Sequence, residues 1–315
     1  MKAAPVEVPE WFRGAIDVHV HSSPSIFPRL LSDSQVVAQA AGAGMRGVVL
    51  KAHEGSTVER AAIAEAGRRA GEMSAPDMAD DGIARFTVRG GIVLNHFVGG
   101  LNPVAVELAL TMGGTIVWLP TIHAANHLDY YGGAGYSEQR GEPLTQPLEP
   151  LSVVDESGGL KAPAMEVLEV VAARPGAVLN NGHLDAWETA ALFREAKRMG
   201  IERLVIAHPE LPLSGFDMQF QLAMVRLGAF IERSYLPHTE TWGGFSFERT
   251  AHEIEQLGPE HCVLSTDLGQ ASGLPPSEGL MRFGAALIEK GLTRAAVELM
   301  LKRNPAELLG LEPIS

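Results

Sequence analysis

Eight short apolar or β-branched runs recur along the chain, at 14–18, 46–50, 86–94, 115–119, 177–179, 203–206, 229–232 and 262–265. Longer stretches of helical character lie between them, at 32–43, 57–73, 103–112, 162–173, 185–199, 216–227 and 246–257, and two more follow at 277–290 and 293–309. Strands that alternate with helices pair in parallel, because each crossover carries the chain back to the same end of the sheet. Eight such units are the count of a closed (β/α)8 barrel, and an α/β barrel of the TIM type is the predicted fold. No GxGxxG follows the first run, which argues against an open dinucleotide-binding sheet. Several helical stretches open on Ser, Thr or Asp, and several close on Gly44, Gly200, Gly228 or Gly258, the residues expected at those ends.

A chain of 315 residues, 46% of them hydrophobic, can bury a core of barrel size, and 1–315 is read as a single domain. Segment 124–161 breaks the rhythm: it is rich in Gly, Pro and Tyr, with little helical period. It follows the fourth run, so in a barrel it lies at the carboxyl-end mouth and is read as a lid insertion. Residues 293–315 form a C-terminal helix and tail.

Charge narrows the partners. The chain has 25 Lys and Arg against 38 Asp and Glu, a net −13, with no dense basic run, so nucleic acid is not an expected partner. The apolar runs are far shorter than a membrane span, and MKAAPVEVPEWFRG at the amino terminus lacks the apolar core of a signal peptide. A cytoplasmic protein acting on a small molecule is expected, with a homo-oligomer open. The one cysteine, Cys262, lies in an apolar run and reads as a buried small hydrophobe.

The chemistry-bearing residues collect after the runs. His19 and His21 follow the first, Lys51 and His53 the second, Asn95 and His96 the third, and Thr121 and His123 the fourth. The fifth is followed by Asn181 and His183, the sixth by His208, the seventh by Arg233 and the eighth by Asp267. Eight of the 11 histidines, counting His127, fall near such an end. In a parallel barrel these ends open on one face, where catalytic groups gather. In His19-Val20-His21, residues i and i+2 point the same way, so both imidazoles project together, an arrangement suited to a divalent transition metal. His183, His208 and Asp267 are further candidate ligands, and Asp267 is also the candidate proton acceptor.

Lys51 ends a buried run and either pairs with a carboxylate, contacts an anionic substrate, or is carbamylated and bridges two metals; His53 is a possible ligand beside it. Arg233 is a candidate clamp for a substrate carboxylate or a structural ion-pair residue. His96, His123 and Tyr131 are expected to line the mouth and touch substrate, with His127 also there. Tyr130, Tyr136, Trp118, Tyr235 and Trp242 are candidates for an aromatic wall or for plain packing. His252 and His261 read as surface residues.

Taken together, His19-Val20-His21, His183, His208 and Asp267 resemble the amidohydrolase superfamily of metal-dependent hydrolases. The closing Asn304-Pro305-Ala306-Glu307-Leu308-Leu309-Gly310-Leu311 is similar to the tail of such proteins. The resemblance implies one or two divalent metal ions, zinc foremost, with Mn, Fe, Co or Ni as the other candidates. It places His19 and His21 on one ion and His183 and His208 on a second, with Asp267 ligating the first and shuttling the proton. It also implies hydrolysis of a small amide, lactone or cyclic imide. No Lys or Glu closes the fourth run, where that superfamily often has its bridging ligand; Thr121 and His123 stand there, and Lys51 is the available substitute. Lys51-Ala52-His53 also resembles the polymerase and histidinol phosphatase family, although Leu268 and Gly269 follow Asp267 where that family has a DxH. The alternatives to hydrolysis are a metal-dependent decarboxylase or hydratase acting on a small carboxylic acid, a phosphoesterase, and a non-catalytic metal- or ligand-binding barrel.

Overall fold

The computed structural model describes residues 8–70, 86–132 and 149–312. Among them run β1 (Ile16–His21), β2 (Gly47–Lys51), β3 (Thr87–Arg89), β4 (Gly91–Val93), β5 (Ile116–Trp118), β6 (Val178–Asn180), β7 (Arg203–Ala207), β8 (Ala229–Ser234) and β9 (Cys262–Ser265). Strands β1 to β3 form one sheet and β4 to β9 another, every pair parallel and in sequence order. The predicted parallel α/β architecture is therefore present.

The predicted third strand is two. β3 pairs with β2, and β4 pairs with β5. Gly90, between them, makes the break possible, since a Cβ there would stand 2.4 Å from the Thr57 carbonyl oxygen. Thr57 occupies that place: its N–H donates to Gly91 O at 2.9 Å, and its Oγ1 accepts from Gly91 N at 3.1 Å. The two sheets are thus consecutive parts of one chain path on this side.

Backbone hydrogen bonds join them on the other side. Asp267 N donates to His19 O at 2.9 Å and His21 N to Leu268 O at 2.8 Å, with Val20 bridging Leu268 in parallel. The carboxyl end of β9 is thereby tied to β1, and the ring of a (β/α)8 barrel closes.

Inside the ring, Ile16, Val18, Val49, Ile116, Val178, Val205 and Val263 pack together, and Leu308 and Leu309 close the amino end. Val20, two residues beyond Val18, instead joins the core between strands and helices. Residues two apart on a regular strand share a face, so this switch requires an extra residue, and the β1–β2 register shifts between Asp17 and Val20 as a bulge does. The bulge lets β1 contribute apolar residues to the floor and both histidines to the mouth.

Helices cover the ring. Ser32 caps Asp33–Gly42 with a complete capping box, and Asp185, Ser246 and Thr293 accept from backbone N–H groups at their helix starts. Thr57 does not cap its helix; its hydroxyl donates to Leu50 O at 2.6 Å, because the strand break claims it. The predicted last helix is interrupted, with Leu299–Arg303 forming a π turn between Arg294–Glu298 and Asn304–Leu308. Pro305 brings no N–H to the ladder, and Asn304 Nδ2 donates to Pro259 O and Cys262 O, pinning this segment under β9. Cys262 itself is fully buried, as its apolar run predicts.

Of the predicted insertion, residues 133–148, and with them Tyr136, lie outside the described residues. Its near side begins with a short helix, Ala125–Tyr130, and Ala124 bridges Leu151 across the insertion's two ends. No described helix is long and apolar enough to cross a membrane.

Candidate metal centre

One step above the apolar floor, the inward positions change character. Val49, Val178 and Val263 are followed two residues later by Lys51, Asn180 and Ser265, and on β8 Glu232, paired with Val263, faces the same way. A strand that alternates faces every residue delivers these polar groups to the barrel axis. Glu232 is their hub, accepting from Ser265 Oγ at 2.8 Å and Asn180 Nδ2 at 3.2 Å.

His19 stands on Glu232, its Nδ1 donating to Oε1 at 2.6 Å. That bond turns His19 Nε2 upward, 3.0 Å from Asp267 Oδ1 and 3.0 Å from Lys51 Nζ. His21 Nε2 meets the same Asp267 oxygen at 3.0 Å. One donor atom each from His19, His21 and Asp267 lies within 4.8 Å of the others, and all three residues are buried. The amide of His19 also donates to Asp17, whose carboxylate accepts from Thr266 N and Oγ1, so β1 and the end of β9 are tied below the cluster as well.

Asp267 and His208 are the described non-glycine residues with positive φ, at 55° and 29°. Such backbone is uncommon for side-chain-bearing residues and persists where surrounding contacts enforce it, often at functional sites. His208 is fully buried, its ring centroid 5.1 Å from that of His183 and 6.0 Å from that of His19. Neither of its ring nitrogens has a hydrogen-bond partner among the described residues. His183 Nδ1 lies 2.8 Å from His127 Nδ1, with the rings stacked at 4.9 Å.

Charge follows from this crowding. Burial pushes His19 down, but the carboxylates of Asp267 and Glu232 outweigh it and raise the imidazole to about 9. Burial pushes Asp267 up, and the charge and hydrogen bonds of His19 and His21 overcome that, leaving it well below 3.8. Lys51 is lowered, chiefly by burial. Burial also holds His21, His53 and His183 neutral, well below 6.5, and brings His208 to about 4. Neutral imidazoles and an ionised carboxylate are the forms that bind metal, so His21, His183, His208 and Asp267 stand in that form, while His19, raised to about 9, has to give up its Nε2 proton to serve as a ligand.

The remaining predicted residues divide. His53 stacks on His21 at 4.9 Å, and its Nδ1 meets Thr121 Oγ1 at 2.9 Å, so the residue standing where a bridging ligand was looked for orients a histidine instead. Tyr131 lines the cleft above the cluster together with Trp242, Arg29 and Gln270. His96 and His123 do not line that cleft: His123 Nδ1 accepts from the His96 amide, and His96 Nε2 contacts Glu149 O at 2.6 Å. Tyr130 is exposed, and Tyr235 packs on Phe247 and Phe283.

Arg233 is not a substrate clamp. It follows inward-facing Glu232, so it points outward into the layer between strands and helices. There it is fully buried, with Nη1 donating to Glu210 at 2.9 Å and Glu253 at 2.8 Å, and Nη2 donating to Gln221 at 2.7 Å.

The cleft is narrow, with about 20 Å³ of space for a water-sized molecule. A larger cleft of about 800 Å³ lies at the opposite end, by Arg13, Arg46 and the C-terminal helices. Of its polar groups, Lys302 pairs with Glu298 and Arg46 donates to the Glu312 carbonyl.

Solved structures share the fold. An amidohydrolase from Pseudomonas aeruginosa superposes with a TM-score of 0.58 at 11% identity, covering 95% of this chain and 96% of that one. An N-acetyl-D-glucosamine-6-phosphate deacetylase from Mycobacterium smegmatis gives 0.51 at 15% identity, covering 96% and 77%. A dihydroorotase gives 0.53 at 16% identity, covering 95% and 71%. These matches support the predicted fold and give no support to the second resemblance, to the polymerase and histidinol phosphatase family. No curated protein matches the chain by sequence. Residues 14–232, which carry His19, His21, Lys51, His183, His208 and Glu232, match the family model DUF6282, a family of unknown function, and the chain belongs to that family.

Proposed function

We propose that this protein is a metal-dependent hydrolase that cleaves an amide, lactone or cyclic imide bond of a small molecule. The observation that carries the reading is the convergence of His19, His21 and Asp267 within 4.8 Å at the carboxyl-end mouth of a parallel barrel. Two imidazoles and a carboxylate fit a divalent transition ion such as zinc, and the donor set also suits Mn, Fe, Co or Ni. His208, buried with both ring nitrogens lacking described partners, fits a second ligand pair with His183, since ligation would satisfy an otherwise costly polar group. A bound ion there supplies Lewis acidity and lowers the pKa of water toward neutrality.

The chain's own groups divide the remaining work. Asp267, whose Oδ1 is within reach of both His19 and His21, takes a proton from the attacking water and returns it to the leaving group. Glu232 fixes the tautomer of His19, and Thr121 orients His53. Lys51 is assigned to substrate contact, its ammonium balancing Asp267 and Glu232 at the centre of the cluster. Tyr131 and Trp242 wall the cleft.

The test is metal analysis of freshly purified protein, followed by chelation, reconstitution and assay on a panel of amides and lactones. Bound transition metal, metal-dependent turnover, and loss of turnover in His19→Ala and Asp267→Ala are expected. Protein that holds no metal and gains no turnover from any of the five ions would sink the reading.

A further inference from the structure

The loop after β1 and the loop after β9 are paired over the cluster. Arg29 bridges Gln270 in antiparallel fashion, Leu30 N donates to Gly269 O at 2.9 Å, and Ala271 N donates to Pro28 O at 3.3 Å. Residues directly opposite in an antiparallel bridge send their side chains to the same side. Here both side chains line the cleft. Arg29 is set by its Nε donating to Ser25 Oγ at 3.3 Å and by Nη2 lying 3.4 Å from His21 Nδ1.

Gln270 has a specific deficit. Its side-chain nitrogen donates to Asp267 O at 3.0 Å. A carbonyl can only accept, so this bond fixes which end of the amide is which. The side-chain oxygen is therefore a buried acceptor, in a cleft-lining residue only 6% exposed, and it has no partner among the described residues. A buried acceptor left without a donor is costly, and a ligand N–H would satisfy it.

We propose that Arg29 and Gln270 form a substrate-reading pair, and that the substrates are small carboxylic acids carrying an amide N–H. The guanidinium takes the carboxylate, with the planar fork suited to its two oxygens, and Gln270 Oε1 accepts the N–H beside it. The pair lies next to Asp267, so a molecule held this way presents its amide to the cluster. The proposal rests on the hydrolase reading for the reaction, and it stands apart from that reading as a statement about binding.

Three small probes separate the two contacts: succinamate has the carboxylate and the N–H, N,N-dimethylsuccinamate lacks the N–H, and succinamide lacks the carboxylate. Titration calorimetry or ligand-observed NMR on the purified full chain is expected to show succinamate binding about tenfold or more tighter than either analogue. Arg29→Gln is expected to bring succinamate down to the level of succinamide. Gln270→Met, similar in volume and without the acceptor, is expected to abolish the preference over the dimethyl compound. Equal binding of acid and diamide, equal binding of the two acids, or no saturable binding of succinamate overturns the proposal. The wild-type ordering decides the matter even if a variant fails to fold. Ammonia release from succinamate by metal-loaded protein is scored separately: its absence, with the ordering intact, counts against hydrolysis and leaves the reading pair standing.

Discussion

Glu232 Oε1 receives the Nδ1 proton of His19 at 2.6 Å, in the polar layer and from the strand next but one in the ring. The carboxylate makes Nδ1 the protonated nitrogen and Nε2 the one presented to Asp267. Partners of this kind fix the orientation and basicity of a ligating histidine. Glu232→Gln keeps the size and one acceptor but removes the charge. It is expected to lower metal affinity by about 10-fold or more, measured by competition with a chelator of known strength. Unchanged affinity would mean that His19 is oriented by packing alone.

Arg233→Met gives the opposite kind of result. Removing the guanidinium leaves Glu210 and Glu253 buried around an uncharged side chain, and breaking such a pair costs about 3–5 kcal/mol. The loss should appear in the urea midpoint, while the KM of the folded fraction stays as in wild type. A rise in KM without loss of stability would restore Arg233 to the substrate site.

The barrel was legible because its signals are local and repeated: a β run followed by a helical stretch, eight times over, with caps at several of the helix starts. The histidines were legible because strand ends in a parallel barrel share a face. Which of two neighbours faces inward was not, and Arg233 shows why. Glu232 and Arg233 both end an apolar run, and alternation says only that one points in; the β8 register with β9, which sets Glu232 against Val263, decides it. The bulge in β1 was hidden for a similar reason, since Ile16 and Val18 have the opposite parity to His19 and His21, yet all serve the interior. Gln270 and Arg29 left no periodic trace, because their pairing joins loops 241 positions apart in sequence. An adjacent Glu and Arg closing a buried strand was the available signal for Glu232.

The pH dependence of stability offers a check remote from the cluster. His238 is held neutral at about 4, chiefly by burial; its Nδ1 donates to Phe245 O at 2.7 Å and its ring stacks on Phe247 at 4.2 Å. The unfolded chain takes up this proton near 6.5 and the folded chain only near 4. Stability from His238 is therefore complete above 6.5 and lost as pH falls toward 4. By linkage the loss is about 3 kcal/mol across that window. His238→Asn is expected to lessen the slope of the urea midpoint between pH 6.5 and 4 by this one histidine's share, since His21, His53, His183 and His208 add to the same slope; an unaltered slope would place the titration elsewhere.

The number of ions separates the two halves of the cluster. His19, His21 and Asp267 form one donor set, and His208 with His183 is positioned to form a second. Metal counting on reconstituted protein is expected to give two equivalents per chain in wild type and one in His208→Ala, with the remaining ion lost on further change of His19 to Ala. His208→Ala should also cost little stability or even add some, because the imidazole it removes is buried with two nitrogens lacking described partners. A wild type with one equivalent, unchanged in His208→Ala, would assign the whole site to His19, His21 and Asp267. A His208 variant that loses both ions would show instead that the two donor sets act as one.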